Sequence, residues 1–236
     1  MAECNNTKTG ILYLVSTPIG NMDDITLRAI RILNEVDFIL AEDTRTAGKL
    51  LKHFNIHKKV FSYYSYNEIR RIPLILNKLE SGYKIALIPE AGTPLISDPG
   101  YKIVVKAIQN NYTVIPIPGS SAMLTALVAS GLPTDRFIFE GFLPRKKGRK
   151  RRLESLEQEQ GTIIIYESAQ RIQKTLEDIV KILGNRYIVL ARELTKKYEE
   201  FVRGFSQDIL KDLDNRKLKG EIVLLIAGRN YHPNLI

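Results

Sequence analysis

Tryptophan is absent from this 236-residue chain, and cysteine and histidine are scarce, with one Cys and three His. The lone Cys4 excludes an internal disulfide and a cysteine cluster for zinc. His53, His57 and His232 are too scattered to argue for a metal site, so no metal is expected. No apolar run approaches the roughly twenty residues of a membrane span, and residues 1–10 are polar, without the apolar core of a secretion signal. A cytoplasmic location is the expectation. Several nucleotide and hydrolase signatures are also missing. The first apolar run is not followed by Gly-x-Gly-x-x-Gly, the Gly-x-x-x-x-Gly-Lys-Ser/Thr phosphate loop is absent, and there is no Gly-x-Ser-x-Gly elbow. These absences argue against a dinucleotide site of the usual kind, a P-loop and a hydrolase nucleophile.

What is present is a globular composition, 44% hydrophobic and 26% charged. The length suits two α/β domains, placed at 11–118 and 119–228 with loose tails at 1–10 and 229–236. A net charge of +9 favours a polyanionic partner. From Arg145 to Arg152 every residue except Gly148 is Lys or Arg, a dense positive field for a phosphate backbone. Most charge runs are only solvated faces, and this one lacks interleaved aromatics that would stack bases.

In order, the chain alternates short apolar runs with helical periodicity, the pattern of β-loop-α units with helices on both faces of a mainly parallel sheet. Residues 11–15 read as a strand, and Asp23 or Asp24 is placed to cap a helix carrying Leu27, Ile30, Leu33 and Val36 inward. Strands follow at 38–41, 60–64, 84–88 and 112–117. The second delivers Glu42, Asp43, Thr44 and Arg45 at its end. The fourth runs into a long loop to Gly100, where Ser97, Asp98 and Pro99 are suited to open the helix 101–109. In open α/β sheets ligands bind at such carboxyl ends, although a capping loop needs the same turn chemistry. Pro118-Gly-Ser-Ser-Ala122 is a third loop that lets backbone N–H groups approach a ligand. The second half reads as an edge strand at 136–142, strands at 162–166, 187–191, 201–205 and 221–227, and helices at 169–183 and 207–213, hence a mixed sheet.

Four segments, Leu12 to Arg28, Ala41-Glu-Asp-Thr-Arg45, Ala91-Gly-Thr-Pro-Leu-Ile-Ser-Asp-Pro-Gly100 and Pro118-Gly-Ser-Ser-Ala122, resemble the tetrapyrrole methylase-like superfamily of S-adenosylmethionine-dependent methyltransferases. With Gly141-Phe-Leu-Pro-Arg145, Tyr166-Glu-Ser168, Arg192-Glu-Leu-Thr-Lys196 and Lys219 to Leu225, the resemblance narrows to the small-subunit ribosomal RNA methyltransferases of that superfamily. It implies two α/β domains, usually in a homodimer, with the cofactor in the cleft between them. The implied activity is methylation of the ribose 2′-oxygen of a decoding-centre cytidine in 16S rRNA. It further implies that Pro18, Ile19, Gly92, Thr93, Ile96, Ser121 and Ala122 contact the cofactor, and that Tyr166, Glu167 and Leu194 lie near its adenosine. Three positions depart from the family pattern: Pro89-Glu90 replaces Ser-Asp, Tyr66 replaces His, and Ala169-Gln170 replaces Pro-His.

Methyl transfer from a sulfonium is an in-line displacement that needs alignment and exclusion of water. A general base could add about 10²–10⁴-fold by taking the hydroxyl proton. Glu42, Asp43, Glu90, Glu193 and Lys196 are candidates by strand-end position, each with a structural alternative as a cap or ion pair. Arg45, Arg145, Lys146, Lys147, Arg149, Lys150, Arg151 and Arg152 are the candidate RNA contacts. Competing functions are methylation of a small acceptor such as a precorrin, and a non-catalytic RNA-binding module.

Overall fold

The structure, a computed structural model, describes residues 10–213, 216 and 218–233. Cys4 and most of the expected tails lie outside that set. The described part of the second tail is tied down rather than loose: the Arg229 N–H donates to the Glu159 carbonyl at 2.8 Å, and the Tyr231 ring lies 5.8 Å from that of Tyr187. The chain separates into two compact units, with Ser121 ending the first and Ala122 opening the second.

In the first unit, β1 (Ile11–Val15), β2 (Phe38–Ala41), β3 (Lys59–Ser62), β4 (Lys84–Ile88) and β5 (Thr113–Ile117) form one sheet in the order β3-β2-β4-β1-β5. All its pairings are parallel. The strands are apolar on both faces because both are covered. Tyr13, Val15, Ile39, Ala41, Ala86 and Ile88 point into a core completed by α1 (Leu27–Glu35) and α2 (Thr44–His53). Leu12, Phe38, Leu40, Ile85 and Leu87 point the other way, against α3 (Glu68–Glu80) and α4 (Tyr101–Gln109). Period-two alternation thus feeds two cores from the same strands.

Local capping differs from expectation at two helices. Asp23 and Asp24 belong to a 3-10 turn, Met22–Asp24, capped by Asn21. Thr26 caps α1 by accepting the Ala29 N–H at 3.1 Å. That moves the helix start to Leu27, which is 86% exposed instead of packed in the core. The α4 cap is Gly100 at φ +135°, not Ser97 or Asp98. Its N–H donates to Glu68 Oε1 at 3.2 Å, and that buried carboxylate also accepts from the Tyr63 hydroxyl at 3.1 Å and pairs with Lys102 at 3.3 Å. A side chain 32 positions away does the work expected of a local cap.

The second unit carries α5 (Ala122–Ser130) and a sheet of β6 (Phe137–Phe142), β7 (Thr162–Ser168), β8 (Tyr187–Arg192), β9 (Glu200–Phe205) and β10 (Glu221–Ile226). Its order is β6-β7-β10-β8-β9, with β6 parallel to β7 and the other pairs antiparallel. One face packs on α6 (Arg149–Glu154), α7 (Ile172–Leu183) and α8 (Ser206–Leu213) through Leu153, Leu176, Ile179, Ile209 and Leu213. The α/β class with one parallel and one mixed sheet matches the sequence reading.

Candidate active site

In the first unit β1 and β4 are neighbours, but their following helices lie on opposite faces of the sheet. The chain therefore leaves these two strand ends toward opposite faces, and the carboxyl ends at such a point are the place where open α/β sheets bind ligands. The loops after β1, β4 and β5 line it. A two-way bridge joins the first two: the Thr17 N–H donates to the Gly92 carbonyl at 2.8 Å, and the Gly92 N–H returns to Thr17 at 3.0 Å. Thr93 ties in the third by donating its hydroxyl to the Ser120 carbonyl at 3.0 Å, while Ser16 donates to Thr93 at 3.4 Å.

This cradle is held in costly backbone. Between residues 89 and 100 Gly92 and Gly100 have positive φ, and so do Leu95 at +71° and Ser97 at +69°. A leucine in that region is an outlier kept only where its surroundings over-determine it, and Leu95 is held by packing against the α3–α4 core. A Cβ on Gly92 would lie 3.3 Å from Ile19 Cγ2, and one on Gly119 would lie 2.8 Å from Ser16 Cβ. The glycines thus set the spacing of the three loops.

Two buried hydroxyls at these loops, Thr17 Oγ1 and Ser121 Oγ, have no protein hydrogen-bond partner. Buried polar atoms are nearly always paired, so two orphans on adjoining loops fit a polar ligand as partner. Of the residues that the resemblance assigned to a cofactor, Pro18, Ile19, Gly92, Thr93, Ile96 and Ser121 are on these three loops, and Ala122 is the next residue in the chain. Ser16 and Thr17 were missed as contributors; their position at a strand end was the available signal.

An acidic group adjoins the loop after β4. Glu42 follows β2, Glu90 follows β4, and β2 and β4 are paired through Ala41 and Ile88. Asp98 is hydrogen-bonded to Glu42. Burial, then the nearby Glu42 charge and its hydrogen bond, then Glu90, push the Asp98 carboxyl up from 3.8 to about 7. Burial and Glu90 also raise Glu42, while the bond from Asp98 works in the opposite sense. Asp98, expected only to start a helix, is the functional candidate that sequence reasoning missed. Its partial burial beside two other acids has no sequence signal. Among the described residues no group of His, Cys, Asp or Glu is arranged to hold a metal ion.

The remaining candidates are occupied elsewhere. Asp43 caps α2 by accepting the Arg45 N–H at 2.7 Å and pairs with the Arg45 side chain at 3.1 Å, which holds its pKa below the usual range. In the second unit Lys196 bridges Glu193 at 3.0 Å and Glu221 at 2.7 Å. Burial raises the Glu193 pKa, but the Glu221 N–H and Lys196 outweigh it and leave the group lowered. Glu193 and Thr195 both have positive φ, and a Cβ on Gly220 would strike the Glu193 carboxylate, so this turn is tightly built. Leu194 is buried between them.

Tyr166 and Glu167 lie on β7. The Glu167 carboxylate is wholly buried and accepts from Thr175 at 2.7 Å, with Arg171 at 3.3 Å. Its side chain serves the second unit's interior. Arg149 corrects the basic run in the same way. Its side chain is 10% exposed, bonds Asp178 at 2.8 Å and Thr175 at 2.8 Å, and lies 4.0 Å from Glu167, so it does not face a phosphate backbone. Arg145, Lys146, Lys147, Lys150, Arg151 and Arg152 are exposed, with Lys150 paired to Glu154 and Arg152 to Glu140.

Residues 11–210 match the family model described as Tetrapyrrole (Corrin/Porphyrin) Methylases. The chain belongs to the tetrapyrrole methylase family. Within that family it is 50% identical over 220 residues to the ribosomal RNA small subunit methyltransferase I of Halalkalibacterium halodurans, covering 93% of this chain and 76% of the relative. It is 51% identical over 228 residues to the protein of the same name from Pasteurella multocida, covering 95% and 81%. Among solved structures, a diphthine synthase superposes with a TM-score of 0.74 at 15% identity, covering 94% of this chain and 92% of that one. A cobalt precorrin-4 methyltransferase gives 0.68 at 17% identity, covering 92% and 94%. Membership makes the chain a methyltransferase, and the two structures extend the fold match across both units.

Proposed function

We propose that this chain uses S-adenosylmethionine to methylate the ribose 2′-hydroxyl of a decoding-centre cytidine in 16S rRNA, as a cytoplasmic homodimer. The observation that carries the reading is the cradle of three loops with two orphaned hydroxyls, in a chain half identical to ribosomal RNA small subunit methyltransferases I. The cradle fits the cofactor's polar methionine and ribose groups. Gly92 admits close approach, Thr93 is fixed by two bonds, and Thr17 and Ser121 offer donors. When bound, S-adenosylmethionine supplies a methyl group on a positively charged sulfur. The chain's part is to hold that methyl in line with the acceptor oxygen, exclude water and accept a proton.

Of the five acid-base candidates, Glu42 and Glu90 remain available, joined by Asp98. A carboxylate tuned to about 7 is matched to proton transfer near neutral pH. Exposed cations from Arg145 to Arg152, together with Arg45, supply the phosphate contacts, with Arg149 left out.

The test is incubation with labelled S-adenosylmethionine and small ribosomal subunits from a strain lacking the enzyme, followed by mapping of the labelled nucleotide. One methylated decoding-centre cytidine is expected. Cofactor binding without transfer to the subunit would point to a small acceptor, and RNA binding without cofactor binding to a non-catalytic module.

The acidic group gives a separate expectation. Folded Asp98 keeps its proton to about pH 7, whereas the unfolded chain loses it near 3.8. Across that window the folded state holds the extra proton. The stabilising contribution is therefore full below the unfolded value and is lost as pH rises through the folded one. Asp98→Asn removes the titration. Its melting temperature is expected to match the parent in acid and to exceed it by a few degrees at about pH 8, and an unchanged difference across pH would refute the assignment. The side chain is partly exposed, so the gain is about 1 kcal/mol at most.

A further inference from the structure

The basic run and the end of β6 form a groove. It has a volume of about 450 Å³, and Phe142, Leu143, Pro144, Arg151, Arg152 and Glu140 are among its lining residues. That volume lies within the roughly 300–1,000 Å³ of small-ligand sites. Phe142 is 59% exposed, and its ring makes an edge-type contact with that of Tyr166, 5.5 Å between centroids.

Two guanidiniums build the wall from behind. Arg149 donates to the Pro144 carbonyl at 3.4 Å, and Arg171 to the Leu143 carbonyl at 2.9 Å. Arg149 is itself anchored on Asp178 and Thr175. Arg152 is oriented by Glu140, whose side chain is 1% exposed, and retains further N–H donors. Phe142 at the end of β6 and Arg151 and Arg152 on α6 thus line one groove, with Arg152 held by Glu140 and with Arg145, Lys146 and Lys147 exposed alongside.

We propose that this groove seats one unstacked nucleotide of single-stranded RNA, with Phe142 stacking on the base and Arg151 and Arg152 taking its phosphate. This rests on the RNA reading above and deepens it. Charge decides the occupant: a flat apolar ring beside guanidiniums, in a chain of net charge +9, is complementary to a base carrying a phosphate.

The test uses the full chain and a short single-stranded RNA carrying 2-aminopurine, with binding read by anisotropy and stacking by quenching of the fluorescent base. Phe142→Ala is expected to weaken binding roughly tenfold or more and to abolish quenching, and Phe142→Tyr to restore both. Arg151→Ser should lower the slope of affinity against salt by about one. Unchanged hydrogen-exchange protection of the β7 and β10 amides in each variant controls for folding, and should Phe142→Ala fail that control, the tyrosine variant and the quenching of the parent still decide. RNA binding by the parent without quenching, or equal binding and quenching by Phe142→Ala, overturns the groove alone. No RNA binding by the parent overturns the RNA reading and the groove together.

Discussion

Gly92→Val is expected to abolish cofactor binding, raising the dissociation constant at least about 100-fold, while RNA binding by the second unit persists. Gly92 sits at φ +80°, where a side chain costs about 1–2 kcal/mol, more for a branched one. Its new Cβ would stand 3.3 Å from Ile19 and 3.8 Å from the Ser120 carbonyl, so the branches of valine must push apart the loops after β1 and β5. The bridge between Thr17 and Gly92 transmits that shift to both loops. Displacement of about 1 Å in a positioned site costs on the order of 100-fold. Overall stability should fall by only about 1–3 kcal/mol, because Gly92 lies beyond the strand ends and belongs to neither core. Calorimetric titration with S-adenosylmethionine and with RNA separates the two effects. A cofactor affinity within about threefold of the parent would remove these loops from the site.

Arg149→Ala should be the most damaging single change in the basic run, and its damage should be structural. The substitution leaves the largely buried Asp178 with only the exposed Lys174, and leaves the buried Glu167 with one guanidinium, Arg171, in place of two, a loss at the lower end of the about 3–5 kcal/mol for breaking a buried pair. It also frees the Pro144 carbonyl and slackens the turn that carries the exposed cations. Arg149→Lys should rescue only partly, since an ammonium cannot reach Asp178, Thr175 and Pro144 with one planar fork. Lys146→Ala and Lys147→Ala should change stability by less than about 0.5 kcal/mol and act instead on the salt dependence of RNA binding. With two compact units, one melting curve does not isolate the effect. Hydrogen exchange of the β7 and β10 amides does: protection should fall there for Arg149→Ala and hold in β1 and β4.

The strands were legible because their residues are apolar without interruption and lie between turn formers. Ile11–Val15, Phe38–Ala41 and Lys84–Ile88 occur where the pattern places them. The helices were legible in their bodies and less so at their starts. Thr26 was passed over for Asp23 and Asp24 since all three are good caps, and only the path of the chain chooses among them. Gly100 took over from Ser97 and Asp98 because Glu68, far off in sequence, holds its N–H.

The loop after β4, from Pro89 to Gly100, shows the same division. Its glycines, its place after a buried strand and its likeness to a methyltransferase family are properties of the sequence, since turn chemistry and apolar runs are local. That the helices after the neighbours β1 and β4 lie on opposite faces, that Asp98 meets Glu42 and Glu90, and that Arg149 alone of its run turns inward were decided by tertiary structure. The physical reason is common to all three. Strand order, carboxylate burial and the pairing of a buried charge depend on groups distant in sequence, and a like-charged run carries nothing that tells which of its members will find a partner.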